Sequence, residues 1–254
     1  MSNKRNLLIV AMAILAVFTS ACSSGSVEHV VNKKVQLQFS SYLAADMPEQ
    51  DVFVEVVPGA DQVHRITAAD LAAYAEAPVY GSQEFIMHDP FQVGYNPVGT
   101  YPKGAPLGFT MGEWLAGTGT GTYTVAGDEA GIDLKLESLV SNGVYTIECA
   151  SINTPPNFSY IDKPCGAEDG SQNTIIADAE GRADFHLTIK PLPDSSAEAV
   201  QVIAVTYHSD GRTYGAYSGD FGLNSHVQIL AFIPMPENAA WQTLSDDSSI
   251  AQQY

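Results

Sequence analysis

The chain has 254 residues and carries 29 Asp and Glu against 11 Lys and Arg, which gives a formal net charge of −18. Hydrophobic residues make up 45% of it and charged residues only 16%. This balance excludes an acidic disordered chain, because disorder needs low hydrophobicity together with high charge. It also argues against a nucleic-acid partner, since phosphate binding needs a basic face.

The N-terminus has the pattern of an export signal. Lys4 and Arg5 precede the uninterrupted apolar run Leu7–Phe18. A membrane-spanning helix needs about 20 apolar residues, so this run is too short to span a bilayer but has the length of a signal-peptide core. We therefore expect residues 1–21 to be a signal peptide. It could be an ordinary secretory signal, in which case the cysteine that follows it is incidental, or a lipoprotein signal.

The residues after the apolar run indicate a lipid anchor. Thr19-Ser20-Ala21-Cys22 resembles the lipobox of bacterial lipoproteins, although Thr19 stands where the family usually has an aliphatic residue. The resemblance implies cleavage before Cys22, lipidation of Cys22 and a tether over residues 22–34. The mature protein would be held outside the cytoplasm, on the cell membrane or, as Ser23 in place of Asp favours, on an outer membrane. Loss of Lys4 and Arg5 would take its formal charge to −20.

Two cysteines then remain for the folded part. Cys149 and Cys165 form an even pair in an oxidising compartment, which favours a disulfide. Closing a loop of this length stabilises a fold by about 3 kcal/mol. A metal-thiolate site or a redox pair is the alternative, but the two residues lack CxxC spacing and no histidine lies between them.

Short segments with period-two alternation dominate the rest of the chain, and turn residues separate them. This pattern is typical of an antiparallel β-sandwich, here of about ten strands. The run Val200–His208 is apolar on both faces and predicts a central strand. The other clear strand patterns lie at residues 35–39, 52–56, 132–136, 144–152, 173–178, 183–190, 213–217 and 227–233.

Two short helices interrupt the strands. Thr67 and Asp70 form a capping box, with Ile66 and Leu71 placed as a hydrophobic staple, and predict a helix that ends near Ala77. Thr110 and Glu113 repeat the box, and Gly117 ends that helix. Residues 78–109 contain five prolines and predict a long loop. We expect residues 35–106 to pack as a strand, helix and loop region on a sandwich domain at 107–236, followed by a polar tail at 237–254.

The segment 107–236 also resembles a family of uncharacterised bacterial secreted proteins. The shared pieces are NGVYTIECAS (142–151), DKPCGAEDGSQN (162–173), YHSDGRTYG (207–215) and GDFGLNSHVQIL (219–230). This resemblance covers about half of the chain. It implies a secreted β domain and carries no mechanism.

Most motifs of catalysis are missing. The run Gly117–Gly121 is not a phosphate-binding loop, because it leads from a helix into a strand and no lysine follows, so we expect a flexible hairpin or linker. Neither HxH, HExxH nor GxSxG occurs in the sequence. His186 alternates with polar residues and is expected to face solvent.

One group of residues could carry metal chemistry. His208 and Asp210 end one predicted strand, while Asp220 and His226 precede the last one. Two imidazoles with carboxylates would suit a divalent transition metal or general acid–base catalysis. The alternative is that both histidines are polar strand-end residues that bond to loop backbone, and in that case no cofactor is expected.

Exposed tyrosines offer a binding surface instead. Tyr214 and Tyr217 lie near a predicted loop, where flat amphipathic rings could contact a sugar or a protein, although core packing is the alternative. The sequence therefore predicts a membrane-anchored lipoprotein that binds or scaffolds an unidentified protein or carbohydrate. A metal-dependent enzyme and a carbohydrate-active protein are the two alternatives.

Overall fold

The computed structural model describes residues 31–45, 51–86, 98–153, 159–196, 198–213 and 220–234. The described chain confirms the all-β class, with thirteen strands, two short α-helices and one 3-10 turn. The helices are α1 (Leu71–Tyr74) and α2 (Met111–Leu115), and the 3-10 turn is Leu43–Ala45. The strands are β1 (Val31–Phe39), β2 (Val54–Glu55), β3 (Gln62–His64), β4 (Pro78–Ser82), β5 (Tyr101–Thr110), β6 (Thr118–Ala126), β7 (Glu129–Glu137), β8 (Val144–Asn153), β9 (Ser159–Ile161), β10 (Thr174–Ile176), β11 (Ala183–Ile189), β12 (Ala199–His208) and β13 (Ser225–Phe232).

The strands form three antiparallel sheets. The first sheet has the order β1-β6-β7-β11. The second sheet has the order β10-β8-β12-β13, and β9 pairs with the same strand β8 farther along. The third sheet has the order β2-β3-β5-β4. A backbone bridge between Ser40 and Leu230 joins the end of β1 to β13, so the first two sheets meet along one side.

The main core lies between the first and second sheets. In β7, Ile132, Leu134 and Leu136 are buried, whereas the residues between them face solvent. Tyr145 and Ile147 of β8 meet them from the second sheet. Each such aliphatic side chain stabilises the fold by about 1.5–3 kcal/mol when it leaves water. The period-two pattern therefore places one face of each sheet in the core.

The second sheet is buried on its other face as well. Val202 and Ala204 of β12 pack there with Leu230, and Tyr42 and Phe221 cover them. Because both faces are covered, β12 has to be apolar on both sides. The predicted central position of this strand, between β8 and β13, is confirmed.

The third sheet and α2 attach to the end of the second sheet through aromatic rings. Trp114 is fully buried and stacks on Phe109 with ring centroids 5.5 Å apart. Tyr207 of β12 lies 6.2 Å from Trp114. The amide of Gln228 donates to the backbone oxygen of Trp114 at 2.9 Å. These contacts fix the N-terminal region against the sandwich, and β5 itself crosses the boundary expected between residues 106 and 107.

The two helix predictions have different outcomes. At α2 the capping box is complete, since Glu113 N donates to Thr110 Oγ1 and the Glu113 carboxylate accepts from Thr110 N. At α1 the helix is a single turn, shorter than the helix expected up to Ala77. Asp70 accepts hydrogen bonds from the backbone N and the hydroxyl of Thr67, but Leu71 stays exposed. The expected staple between Ile66 and Leu71 therefore does not bury Leu71.

Three further expectations are wrong. Residues 31–34, which were expected to belong to the tether, are part of β1, because this strand begins at Val31. The loop predicted at residues 78–109 contains β4 and most of β5. The glycine run lies in β6 from Thr118 onward rather than in a flexible hairpin or linker. Gly119 and Gly121 face inward, and a Cβ on Gly119 would lie 2.7 Å from Leu136 Cδ2. The sequence pattern did not predict this strand, because threonine alternates with glycine in its first half and glycine has no apolar side chain to reveal the period of two.

Candidate functional site

The structure describes some of the predicted site residues and not others. Cys149 and Cys165 form the expected disulfide, with their Cα atoms 4.9 Å apart. Cys22, Tyr214 and Tyr217 lie outside the described residues, as do the signal peptide at 1–21 and the polar tail at 237–254. Lipidation and tyrosine-based binding therefore stay predictions.

His226 is fully buried where β13 meets the N-terminal region. Its Nδ1 donates to the backbone oxygen of Asp51 at 2.6 Å, and its Nε2 lies 3.1 Å from the hydroxyl of Ser209. Because a carbonyl can only accept, the ring carries its proton on Nδ1 and Nε2 accepts from Ser209. Burial lowers the pKa of His226, which agrees with a neutral ring. Both ring nitrogens are thus used within the protein.

His208 is also buried and bonded at both ring nitrogens. Its Nε2 lies 2.8 Å from Oγ1 of Thr146 on β8, and its Nδ1 lies 3.4 Å from Oγ of Ser225. Burial lowers the pKa of His208, so its neutral form is favoured. Both of these partners are side chains, whereas the alternative to metal ligation expected bonds to loop backbone.

The two aspartates bond within their own turns. Asp210 Oδ1 accepts from Arg212 N at 3.0 Å, and Asp220 Oδ2 accepts from Asn224 Nδ2 at 3.3 Å. Within the described ranges, no three or more His, Cys, Asp or Glu side chains are placed to hold a metal ion. The structure therefore does not bring the four predicted ligands together as a metal-binding group.

Sequence reasoning missed a buried carboxyl group next to this region. Glu148 of β8 is only 1% exposed. Its Oε1 accepts from Asn173 Nδ2 at 3.3 Å. Burial, with a smaller contribution from nearby Asp162, raises its pKa from 4.5 to about 7. The available signal was that Glu148 is the one charged residue in the strand segment Val144–Ile152.

An open groove runs over the solvent face of the first sheet. Its volume is about 460 Å³. The polar side chains that line it come from all four strands, and they are Gln36, Thr120, Thr122, Asp133, Lys135, Asp184 and His186. Sequence alternation predicted the exposure of His186, which is confirmed, but it could not show that these side chains share one concave surface.

The strand register arranges the groove in rows. Gln36, Thr122, Asp133 and His186 are consecutive cross-strand partners, and the Asp133 carboxylate contacts the His186 ring. In the neighbouring row, Lys135 stands opposite Asp184. Groups that donate and groups that accept hydrogen bonds therefore lie side by side across a surface four strands wide, with strands about 4.8 Å apart.

Comparison with models of protein families, with curated proteins and with solved structures gave no match for this chain. No helix in the described part of the chain is long and apolar enough to cross a membrane. The likeness of residues 107–236 to a secreted bacterial family stays a prediction.

Proposed function

We propose that the protein is a lipid-anchored binding module that works outside the cytoplasm, with the groove of the first sheet as its ligand-binding surface. The observation that carries the binding role is the groove itself, where hydrogen-bonding side chains from four strands face solvent. A rigid sheet holds such groups in fixed positions, which lowers the entropy cost of recognition.

The sequence of the N-terminus supports the anchor. Cys22 follows a basic and an apolar segment in the order that an exported lipoprotein needs. The disulfide between Cys149 and Cys165 agrees with an oxidising compartment. Eight residues lie between Cys22 and Val31, the first residue of β1, so the start of the first sheet would stay within about 30 Å of the lipid.

The polar side chains of the groove suit a ligand that bears hydroxyl groups, although most of its exposed lining is apolar. Carboxylates at Asp133 and Asp184 accept hydrogen bonds, whereas Lys135 donates them and Thr120 can do both. A sugar hydroxyl is likewise both donor and acceptor. We therefore propose a carbohydrate as the ligand class to test first.

A glycan array probed with the purified mature protein tests this role. We expect binding to at least one class of glycan, and loss of about tenfold or more in affinity in the double variant Lys135→Ala, Asp184→Ala. The matched control is Asp128→Ala, Lys190→Ala, which removes the same charges from exposed positions outside the groove. No binding on the array, or equal binding by both double variants, would contradict the proposal.

A further inference from the structure

A buried carboxyl group lies beneath a disulfide-linked segment of the second sheet. The amide of Asn173 holds Glu148 at Oε1 and also donates to the backbone oxygen of Ile147 at 3.1 Å. The other carboxyl oxygen, Oε2, is buried and has no hydrogen-bond partner among the described residues. A buried carboxylate in such a place is costly, because it loses its water without gaining a full set of donors.

The groups around Glu148 do not supply a compensating positive charge. Thr146 faces it from its own strand, and Asp162 faces it from the segment after β9. His208 of β12 reaches it only through Thr146, and the pKa of this ring is lowered by burial. None of the described side chains that act on Glu148 is a lysine or an arginine. The uncharged carboxylic acid is therefore the form that this site accommodates.

The charges around His208 decide whether this ring could become positive and so offset a charge on Glu148. They come from Asp210 in the turn after β12, from Asp220 in the turn before β13 and from His226 on β13. The two aspartates favour a charged imidazole, but burial outweighs them. At neutral pH, His208 is thus an uncharged neighbour that cannot offset a Glu148 carboxylate.

The covering segment, Ser159–Asn173, is held on β8 at several points. Cys149 N donates to Lys163 O at 2.8 Å, and Cys165 N donates to Ile147 O at 3.0 Å. Asn173 O accepts from Ile147 N at 2.8 Å. The Cys149–Cys165 disulfide is the covalent link in this set. If the hydrogen bonds opened, the disulfide would keep the segment attached.

We propose that Glu148 is a proton-operated latch, which keeps the covering segment closed on β8 while its carboxyl group is protonated and lets the segment open about the disulfide when the proton leaves. The proton passes to solvent, so the step needs no further reactant. Opening would hydrate the carboxylate and expose the edge of β8 that the segment covers. This switch is independent of the groove on the first sheet.

The direction of the pH effect follows from the raised pKa of Glu148. The open state releases its proton near the ordinary value of 4.5, and the closed state only near about 7. Closure is therefore fully favoured below pH 4.5 and weakens as pH rises towards 7. Over that range the opening constant rises about tenfold per pH unit, since one proton is released, and above it the constant levels off.

Amide hydrogen exchange measured by NMR tests the latch in the full mature chain. Protection factors of the Cys149, Cys165 and Ile147 amides, corrected for intrinsic exchange, should fall about 40-fold from pH 5 to pH 7. In Glu148→Gln they should stay high and nearly independent of pH, because the amide is neutral and of similar shape. Glu137→Gln, at the exposed end of β7, should keep the wild-type slope.

Two results would overturn the latch. One is a wild-type protein whose protection at these amides does not change with pH, and the other is the same slope in Glu148→Gln. If that variant fails to fold, the carboxyl carbon shift of Glu148 in the wild-type protein decides instead. Titration near 7 together with the loss of protection supports the proposal, whereas titration near 4.5 contradicts it.

Discussion

The ring of His226 donates a 2.6 Å hydrogen bond from Nδ1 to the backbone oxygen of Asp51. The side chain of Asp51 in turn accepts from Val227 N at 2.8 Å. These two bonds join the last strand of the second sheet to the chain that leads into β2. They make His226 a structural link between the N-terminal region and the sandwich.

Replacing His226 with leucine should lower the free energy of unfolding by about 2–4 kcal/mol, because the Asp51 oxygen and the Ser209 hydroxyl both lose a buried partner. Urea unfolding measures the change. His186→Leu, at an exposed position on β11, should cost less than about 0.5 kcal/mol. Equal stability of His226→Leu and the wild-type protein would contradict the structural role.

Acid should destabilise the protein through its buried histidines. Burial lowers the pKa of both His208 and His226 below 6.5. The unfolded chain therefore takes up protons first as pH falls through 6.5, so the stabilisation is full above that value and is lost below it. Each histidine contributes a slope of up to about 1.4 kcal/mol per pH unit.

Glu148 opposes this effect in the wild-type protein, since its raised pKa favours folding at lower pH. The histidine effect is therefore clearest in Glu148→Gln, whose unfolding free energy should fall steadily from pH 7 to pH 5. The free energy of unfolding of the wild-type protein should fall less over the same pH range. A Glu148→Gln variant with constant stability would contradict the assignment of neutral buried rings.

Tyr145 holds the turn before β8 to the last strand. Its hydroxyl donates to Gln228 Oε1 at 2.6 Å and accepts from Val140 N at 2.7 Å. Tyr145→Phe should cost about 1–3 kcal/mol in thermal or urea unfolding, because the buried Gln228 side chain and the half-buried Val140 N both lose a partner. Tyr74→Phe, which keeps its ring contact with His64, is the matched control and should change little. Equal changes in stability for the two substitutions would contradict a stabilising role of the Tyr145 hydroxyl.

Glycine in β6 is required by close packing. A Cβ on Gly121 would lie 2.7 Å from Leu134 Cδ2, whereas a Cβ on Gly131 of the paired strand meets nothing within 4 Å. Gly121→Ala should destabilise the protein by about 1–3 kcal/mol, as overpacked cores do. Gly131→Ala should stay within about 0.5 kcal/mol of the wild-type protein in the same unfolding assay. The reverse order of stability would contradict this packing.

The parts of the fold that sequence predicts best are those where an apolar side chain occurs at every second position. Ile132, Leu134 and Leu136 identified β7, and the run Val200–His208 identified β12. β6 was not predicted, because Gly119 and Gly121 occupy positions on its core-facing side where an apolar side chain would show the pattern. β4 and β5 were predicted as a loop, because they contain prolines, which are more frequent in loops than in strands.

The candidate site was harder to predict, because it depends on which strands become neighbours. Alternation placed Asp133, Lys135, Asp184 and His186 on polar faces, but only the register of β7 with β11 makes them partners. The metal hypothesis assumed that His208 and His226 bind one metal ion. Their bonds instead go to Thr146 and Asp51, which lie far away in the sequence.

The lipid anchor is the part of the account that one measurement tests most directly. Intact mass and N-terminal analysis of the protein isolated from the membrane fraction of a bacterial host would identify its first residue. We predict a mature chain that begins at Cys22 with a lipid on its sulfur, and a Cys22→Ser variant that leaves the membrane fraction. An unmodified N-terminus, or a Cys22→Ser variant that remains in the same fraction, would contradict a lipid-anchored binding module.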